Sequence, residues 1–384
     1  MNTFEFRTVP ALIVEFGGAR RLGQILRERY TETRICLVTD SFLHRSGLLA
    51  PALANLKEFG WQVQVIDDVV ADPPEAVVLD AATQARADGA QIVLGLGGGS
   101  SMDVAKLIAA LAGSSQPLTE MYGVGKVTGP RLPLIQMPTT AGTGSEVTQI
   151  SIVTTGETTK AGVVSPHLLA DLTILDAELT MGLPPKITAA TGIDAIVHAI
   201  ESYTTRHRKN PLSDMLAREA LKLLSTNLLP AFKNGQDRVA REGMLLGAML
   251  AGQAFANAPV AAVHALAYPI GGIFHVPHGL SNALVLPHVL RFNAGSAAPL
   301  YAELADIAVN GCSGSDEART EAFIAHLEML AKETGIERTL REVGIVEADI
   351  ARLTRDAMLQ TRLLVNNPCD VCEQDIHAIY TAAL

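Results

Sequence analysis

The chain has 384 residues, 48% of them hydrophobic and 18% charged, with mean hydropathy +0.25, a globular composition that excludes disorder as the main state. With 30 Lys+Arg against 40 Asp+Glu the formal net charge is −10, and only 4% of residues are aromatic. This balance argues against nucleic acid or an anionic membrane as the main partner, and against base-stacking platforms.

In chain order, the opening MNTFEFRTVPALIVEFGG has no cationic stretch leading into an apolar run, so no signal peptide is expected. The expected location is the cytoplasm. Short apolar runs then alternate with helical patterns. Arg34–Asp40, Gln62–Ile66, Ala90–Leu96 and Leu132–Met137 read as strands. Leu48–Phe59, Pro74–Asp88 and Ser101–Ala112 read as helices. This alternation predicts βαβ units and a mainly parallel sheet. From about Pro185 the texture changes: Ile187–Thr205, Pro211–Leu228, Val239–Ala256 and Asp316–Thr334 carry helical periodicity and few strand signals. The expected division is an α/β domain over 1–180 and an all-helical domain over 181–384. The most apolar stretch, 244–256, is too short to span a bilayer and contains Gln253.

Two small-residue loops follow predicted strands. In GLGGGSSMDVAK, Gly95 to Lys106, the glycines are expected to supply positive φ and close backbone approach. The helix behind them would favour an anion such as phosphate at Gly98, Gly99 and Ser100. Ser100 stands where a dinucleotide fingerprint needs its third glycine, and no P-loop lysine follows. Asp103 suits either a helix-capping acid or a polar contact to a cofactor. The second loop, PTTAGTGSE, offers the hydroxyls of Thr139, Thr140, Thr143 and Ser145. Two such loops after parallel strands share one sheet edge, which favours a nucleotide. Asp40, ending its strand, is equally suited to receive ribose hydroxyls or to cap the next helix.

In the second half, Asp194 and His198 lie four apart on one helical face, with Glu201 beside them. His264, His275, His278 and His288 follow. One carboxylate with three imidazoles suits a divalent transition metal, but spacing does not choose among the four histidines. The four cysteines form no disulfide framework, and the single C-x-x-C at Cys369 and Cys372 reads as structural or incidental.

Together GGGSSMDVAK, PTTAGTGSEVT, the DAIVH helix and H-x13-H ending in VPHGLSNALVLPHV resemble the iron-containing (group III) alcohol dehydrogenase family over nearly the whole chain. The resemblance implies a dehydroquinate synthase-like architecture, with an α/β NAD(P)-binding domain, an all-helical domain and a site in the cleft between them. It implies metal ligands Asp194, His198, His264 and His278, leaving His275 outside the set. It implies pyrophosphate contacts at Gly98, Gly99 and Ser100, further cofactor contacts at Thr139, Thr140, Thr143 and Lys160, and Asp40 near the adenosine ribose. The implied activity is hydride transfer between a small alcohol and its aldehyde or ketone. The implied cofactors are NAD, with NADP less favoured, and Fe(II), or Zn or another divalent metal. The implied assembly is a homodimer or larger homo-oligomer.

Tyr268 stands where many members carry a second histidine, and H-x-x-x-Y-P-I is similar to the hydroxyacid–oxoacid transhydrogenase branch. That branch, or a hydroxyacid dehydrogenase, is therefore the alternative activity, and a metal-dependent lyase or synthase using NAD transiently is a second. Tyr268 is expected in the substrate pocket.

Overall fold

A computed structural model describes residues 3–156 and 159–384, which divide into two compact units. The α/β unit comprises Arg7–Thr140 and Gly144–Met181. Its strands are β1 (Leu12–Val14), β2 (Arg34–Val38), β3 (Gln62–Ile66), β4 (Ile92–Gly97), β5 (Gly123–Val124), β6 (Leu134–Pro138), β7 (Ile150–Thr155), β8 (Thr159–Val164) and β9 (Leu172–Leu175). Its helices are α1 (Leu22–Arg27), α2 (Ser41–Ser46), α3 (Ala50–Glu58), α4 (Glu75–Ala87), α5 (Gly99–Gly113) and α6 (Leu118–Met121).

Six strands form an all-parallel sheet in the order β1-β9-β6-β4-β2-β3. The central strands β4 and β6 are buried along their whole length, which is why their sequences read as continuous apolar runs rather than alternating ones. A core of Ile35, Leu37, Ile92, Leu94, Ile135 and Ile174, with Leu22, Leu26 and Leu56 from the helices and Leu49 at the N-cap of α3, is essentially inaccessible to solvent. Strand order reverses at β2 and β4: the chain runs from β2 outward to β3, then returns to the other side of β2. Ligands of open α/β sheets bind beyond the strand ends at such a point. Both small-residue loops, after β4 and after β6, lie at carboxyl ends of neighbouring strands, with Asp40 at the end of β2.

The sequence reading did not anticipate a second sheet, in which β8 pairs antiparallel with β7 and parallel with β5. It also missed β1 and β9, which are three and four residues long. Runs of that length carry too few alternations for a pattern to register.

The helical unit is built on Gly182–Leu384 together with residues 3–6 and Ala141–Thr143. It contains α7 (Pro185–Thr204), α8 (Pro211–Lys233), α9 (Arg238–Asn257), α10 (Ala262–Phe274), α11 (His278–Ala308), α12 (Asp316–Glu333), α13 (Ile350–Met358), α14 (Thr361–Leu364) and α15 (Glu373–Ala383). Helix α7 packs against α8, α9 and α11. Two glycines let it approach closely. A Cβ on Gly192 would lie 2.6 Å from Leu228 Cδ1, and one on Gly279 would lie 2.2 Å from the Ala190 carbonyl oxygen. Among the described residues no single helix is long and apolar enough to cross a membrane; α9 and α10 meet that test only as a pair bent by 106°.

Candidate metal centre and phosphate cradle

The close approach of α7 and α11 at Gly279 sets the first half of a side-chain cluster. Asp194 and His198 project from α7 one turn apart, and His278 opens α11. His264 comes from the second residue pair of α10. One donor atom from each of Asp194, His198, His264 and His278 lies within 4.8 Å of all the others. Asp194 Oδ1 is 3.9 Å from His198 Nε2, 3.8 Å from His264 Nε2 and 3.6 Å from His278 Nε2. Donors held at about 2.1 Å by a tetrahedral ion stand roughly 3.4 Å apart, so this spacing is that of ligands around one divalent ion. Spacing in the sequence could not choose among the histidines; packing does. His275 caps α10 in the left-handed conformation with its side chain exposed, and His288 lies nearly three turns beyond His278 along α11.

The cluster is dry. Asp194, His198 and His264 are buried, and His278 alone keeps partial exposure. Burial works against ionisation of Asp194, but His198, His278 and His264, with the Asn282 amide, outweigh it and hold its carboxyl below the usual range. Burial pushes His198 down to about 3, helped by the neighbouring His264 and His278 and opposed by Asp194 and the Gly142 backbone. The result is a low-lying carboxylate beside a His198 imidazole that resists protonation, within a one-carboxylate, three-imidazole donor set that fits a cation such as Fe(II).

Two residues outside the expected ligand set complete the cluster. Glu201, one turn past His198 on α7, accepts the backbone N–H of Ala261 at 3.0 Å and of Val263 at 2.6 Å, capping α10 from a distance. The same carboxylate lies 2.7 Å from His264 Nδ1. An ionised carboxylate only accepts, so Nδ1 carries the hydrogen and Nε2 turns its lone pair into the cluster. Asn282, one turn beyond His278, donates from Nδ2 to Asp194 Oδ1 at 2.6 Å. The sequence signal for Glu201 was its D-x-x-x-H-x-x-E spacing on α7. For Asn282 the signal was a polar residue in an otherwise apolar stretch. Tyr268, one turn after His264, is half-buried with its ring 5.9 Å from that of His278.

In the α/β unit, Gly98 is the N-cap of α5 and makes no side-chain cap bond. The glycines of this loop do not use positive φ, contrary to expectation. Gly95 and Gly97 are demanded by packing: a Cβ there would lie 2.2 Å from Gln136 Oε1 and 2.7 Å from Ser101 Oγ. Gly98 differs. Its φ of −75° suits any residue, and an added Cβ would meet nothing nearer than the Thr140 methyl at 3.8 Å. Neither backbone nor packing explains why residue 98 is glycine.

The other expected cofactor residues fall into three groups. Gly99 and Ser100 open α5, Thr140 flanks Gly98, and Thr139 is buried, its N–H donating to the Gly97 carbonyl. Thr143 belongs to the segment that joins the helical unit. Asp40, Asp103, Ser145 and Lys160 have partners within the fold. Asp40 caps α2, accepting from Leu43 N at 2.9 Å. Lys160 pairs with Asp72 at 2.6 Å.

Asp103 caps nothing: its Oδ1 accepts from Ser145 Oγ at 2.5 Å and its Oδ2 from Ile152 N at 2.9 Å. The fully buried Lys106 joins them, donating to Ser145 Oγ at 2.7 Å and to the Ile150 carbonyl at 2.6 Å. Asp103 and Ser145 therefore tie α5 to β7, a role that residue type alone did not disclose.

Family models match the sequence of both units. Residues 10–177 match the iron-containing alcohol dehydrogenase model, and residues 188–384 match the C-terminal model of the Fe-containing alcohol dehydrogenase family. The long-chain-alcohol dehydrogenase 1 of Geobacillus thermodenitrificans is 42% identical over 369 residues, covering 94% of this chain and 93% of that protein. A solved 1,3-propanediol oxidoreductase superposes with a TM-score of 0.96 at 33% identity, covering all of both chains. The NAD+ complex of sulfoacetaldehyde reductase from Bifidobacterium kashiwanohense gives a TM-score of 0.89 at 28% identity, covering 100% of this chain and 99% of the other.

Proposed function

The chain belongs to the iron-containing alcohol dehydrogenase family, and from that premise we propose that Asp194, His198, His264 and His278 hold its iron and that the Gly98 loop receives the pyrophosphate of NAD. The enzyme interconverts an alcohol and its carbonyl compound by hydride exchange with the nicotinamide cofactor. The observation that carries the metal assignment is the set of four donors at coordination spacing, three of them buried and one with its tautomer fixed by Glu201. When bound, the ion supplies Lewis acidity toward the substrate oxygen.

The protein's own groups supply position. Glu201 holds His264 with its Nε2 lone pair directed inward, and the same carboxylate fixes the first turn of α10. His278 is the partly exposed member, so the route for substrate passes its side of the cluster. Tyr268, against His278, gives that route an aromatic wall and a phenol. A glycine at 98 that the fold itself does not require is accounted for by a phosphate approaching the backbone. Asp40 at the end of β2 favours NAD over NADP by repelling a 2′-phosphate. Asp103 and Ser145 act as supports of this loop region, and Lys160 stays a cofactor contact only if it leaves Asp72.

Primary alcohols and their aldehydes are the substrate class we favour, from methanol-sized to long-chain. The curated relatives include a long-chain-alcohol dehydrogenase and a methanol dehydrogenase. The edge strand β1, with Leu12 and Val14 exposed, supports assembly into a homodimer or larger oligomer. The test is to load the purified chain with Fe(II) and follow NADH formation over a series of primary alcohols and 2- or 4-hydroxyacids. Net NADH with alcohols supports the reading. Turnover only when a hydroxyacid is paired with an oxoacid acceptor replaces it with the transhydrogenase alternative.

A further inference from the structure

His198 differs from His264 in what holds its ring. Its Nε2 faces Asp194 Oδ1 at 3.9 Å, inside the donor cluster, so Nδ1 points away from it. That second nitrogen is buried and closes no hydrogen bond. Phe255 and His264 stack against the ring, with centroids 4.4 Å and 4.7 Å away, and stacked rings offer Nδ1 no acceptor in its own plane. A neutral imidazole that turns its Nε2 lone pair to a cation carries its hydrogen on Nδ1. A buried N–H without an acceptor costs roughly 1–3 kcal/mol, so His198 needs an acceptor in order to serve as a ligand.

The segment Ala141–Thr143 supplies one. It leaves the α/β unit after Thr140 and returns to it at Gly144, and in between it belongs to the helical unit. It lies against α7: a Cβ added to Gly142 would stand 2.7 Å from Thr191 Cβ and 3.0 Å from the Thr191 carbonyl oxygen. Thr191 precedes His198 by about two turns on the same face of α7. Gly142 is buried and does not use positive φ, so contact with α7, not backbone conformation, requires glycine there. Its carbonyl also faces the His198 ring, where it favours a hydrogen.

We propose that Gly142 is a positioning residue for His198: its carbonyl accepts the Nδ1 hydrogen when Nε2 turns to the metal, and the lack of a side chain lets the segment close on Thr191 and bring that carbonyl within reach. This rests on the four-donor reading of the site. Two of the imidazole ligands are then held by different acceptors, His264 by the Glu201 carboxylate and His198 by a neutral carbonyl. Partners of this kind fix the tautomer and the orientation of a ligating ring. The segment continues directly from Thr139 and Thr140, so the loop read as a cofactor contact also steadies a metal ligand.

The experiment measures the dissociation constant of Zn(II) for the full-length chain by chelator competition, in wild type, Gly142→Ala, His198→Ala and the double variant. Gly142→Ala alone should weaken Zn(II) by about 10- to 100-fold. With His198 already removed it should change the affinity little, since groups that act through one another couple whereas independent ones add. Equal weakening in both backgrounds would mean that Gly142 acts by packing alone, and overturns the proposal. An unchanged affinity in Gly142→Ala overturns it as well. A second measurement needs no variant and carries the test if the alanine chains do not fold. Nitrogen NMR of the Zn(II)-loaded wild-type chain, isotope-labelled at histidine, should show His198 bound through Nε2, with an Nδ1 hydrogen protected from exchange with water. Binding through Nδ1, or an Nδ1 hydrogen that exchanges freely, overturns the proposal. A wild-type chain that does not bind Zn(II) overturns the four-donor reading itself, a result distinct from all of these.

Discussion

The two units build their candidate sites from different material. In the helical unit the site is side chains: four donors and two supporting residues, 88 positions apart between Asp194 and Asn282, brought together by three helices. In the α/β unit it is backbone: a contiguous loop at the end of β4 whose critical property at residue 98 is the lack of a side chain. A site of converging side chains fails when one is removed; a site of backbone fails when something is added.

Buried acids sharpen the contrast. Asp194 and Glu146 are both hidden from solvent. Asp194 stays below the usual carboxylate range because imidazoles and an amide face it. Glu146 is pushed up to about 7 by burial, which its own backbone hydrogen bond and Lys106 only partly offset. Burial is common to both; the partners decide which acid keeps its charge.

The largest effect is expected from His278→Ala. Losing one of four donors should abolish stable metal binding and lower turnover on the order of 10³-fold. Metal analysis and kcat measure it, and a variant with full metal and normal turnover would remove His278 from the site. The fold should survive, since the side chain is partly exposed.

Glu146→Gln probes a buried acid that is no donor. The folded state keeps its proton up to about pH 7, whereas the unfolded chain loses it near 4.5. Between those values the folded state binds more protons, so stability falls as pH rises through that window. Glutamine removes this loss, and at pH 8 the variant should be more stable than wild type, by on the order of 3 kcal/mol at most. The gain should vanish at pH 4. Urea unfolding at the two pH values checks it; a gain independent of pH contradicts the assignment.

A glycine pair separates packing from ligand approach. Gly97→Ala should destabilise the α/β unit by about 1–3 kcal/mol through its clash with Ser101. Gly98→Ala should leave the melting temperature within error and raise KM for NAD by roughly tenfold, about 1.4 kcal/mol. If both variants behave alike, residue 98 is not a phosphate contact.

The smallest change is expected from Asp40→Gly. Glycine is tolerated at a helix N-cap at a cost of about a few tenths of a kcal/mol, so stability should barely move. The ratio of kcat/KM for NAD over NADP should fall several-fold, roughly 1 kcal/mol. An unchanged ratio would leave Asp40 as a cap of α2 and nothing more.

Much of this was legible in the sequence. Long helices such as Pro211–Lys233 and Arg238–Asn257 show their buried stripe at a 3.6-residue period over several turns, and fully buried strands such as Ile92–Gly97 show as unbroken apolar runs. Glycines flagged a loop after β4, and the i, i+4 spacing placed Asp194 and His198 on one face because an α-helix fixes that relation locally. Family resemblance, rather than spacing, singled out His264 and His278. What only the tertiary structure decided was everything that depends on distance across the chain. It separated Gly97, held by packing, from Gly98, left open. It turned Asp103 and Ser145 inward to Lys106, and it brought Glu201 and Asn282 to the donors. Local periodicity encodes which face of an element is buried; it does not encode which polar group waits on the other side, because that is set by the packing of helices far apart in sequence.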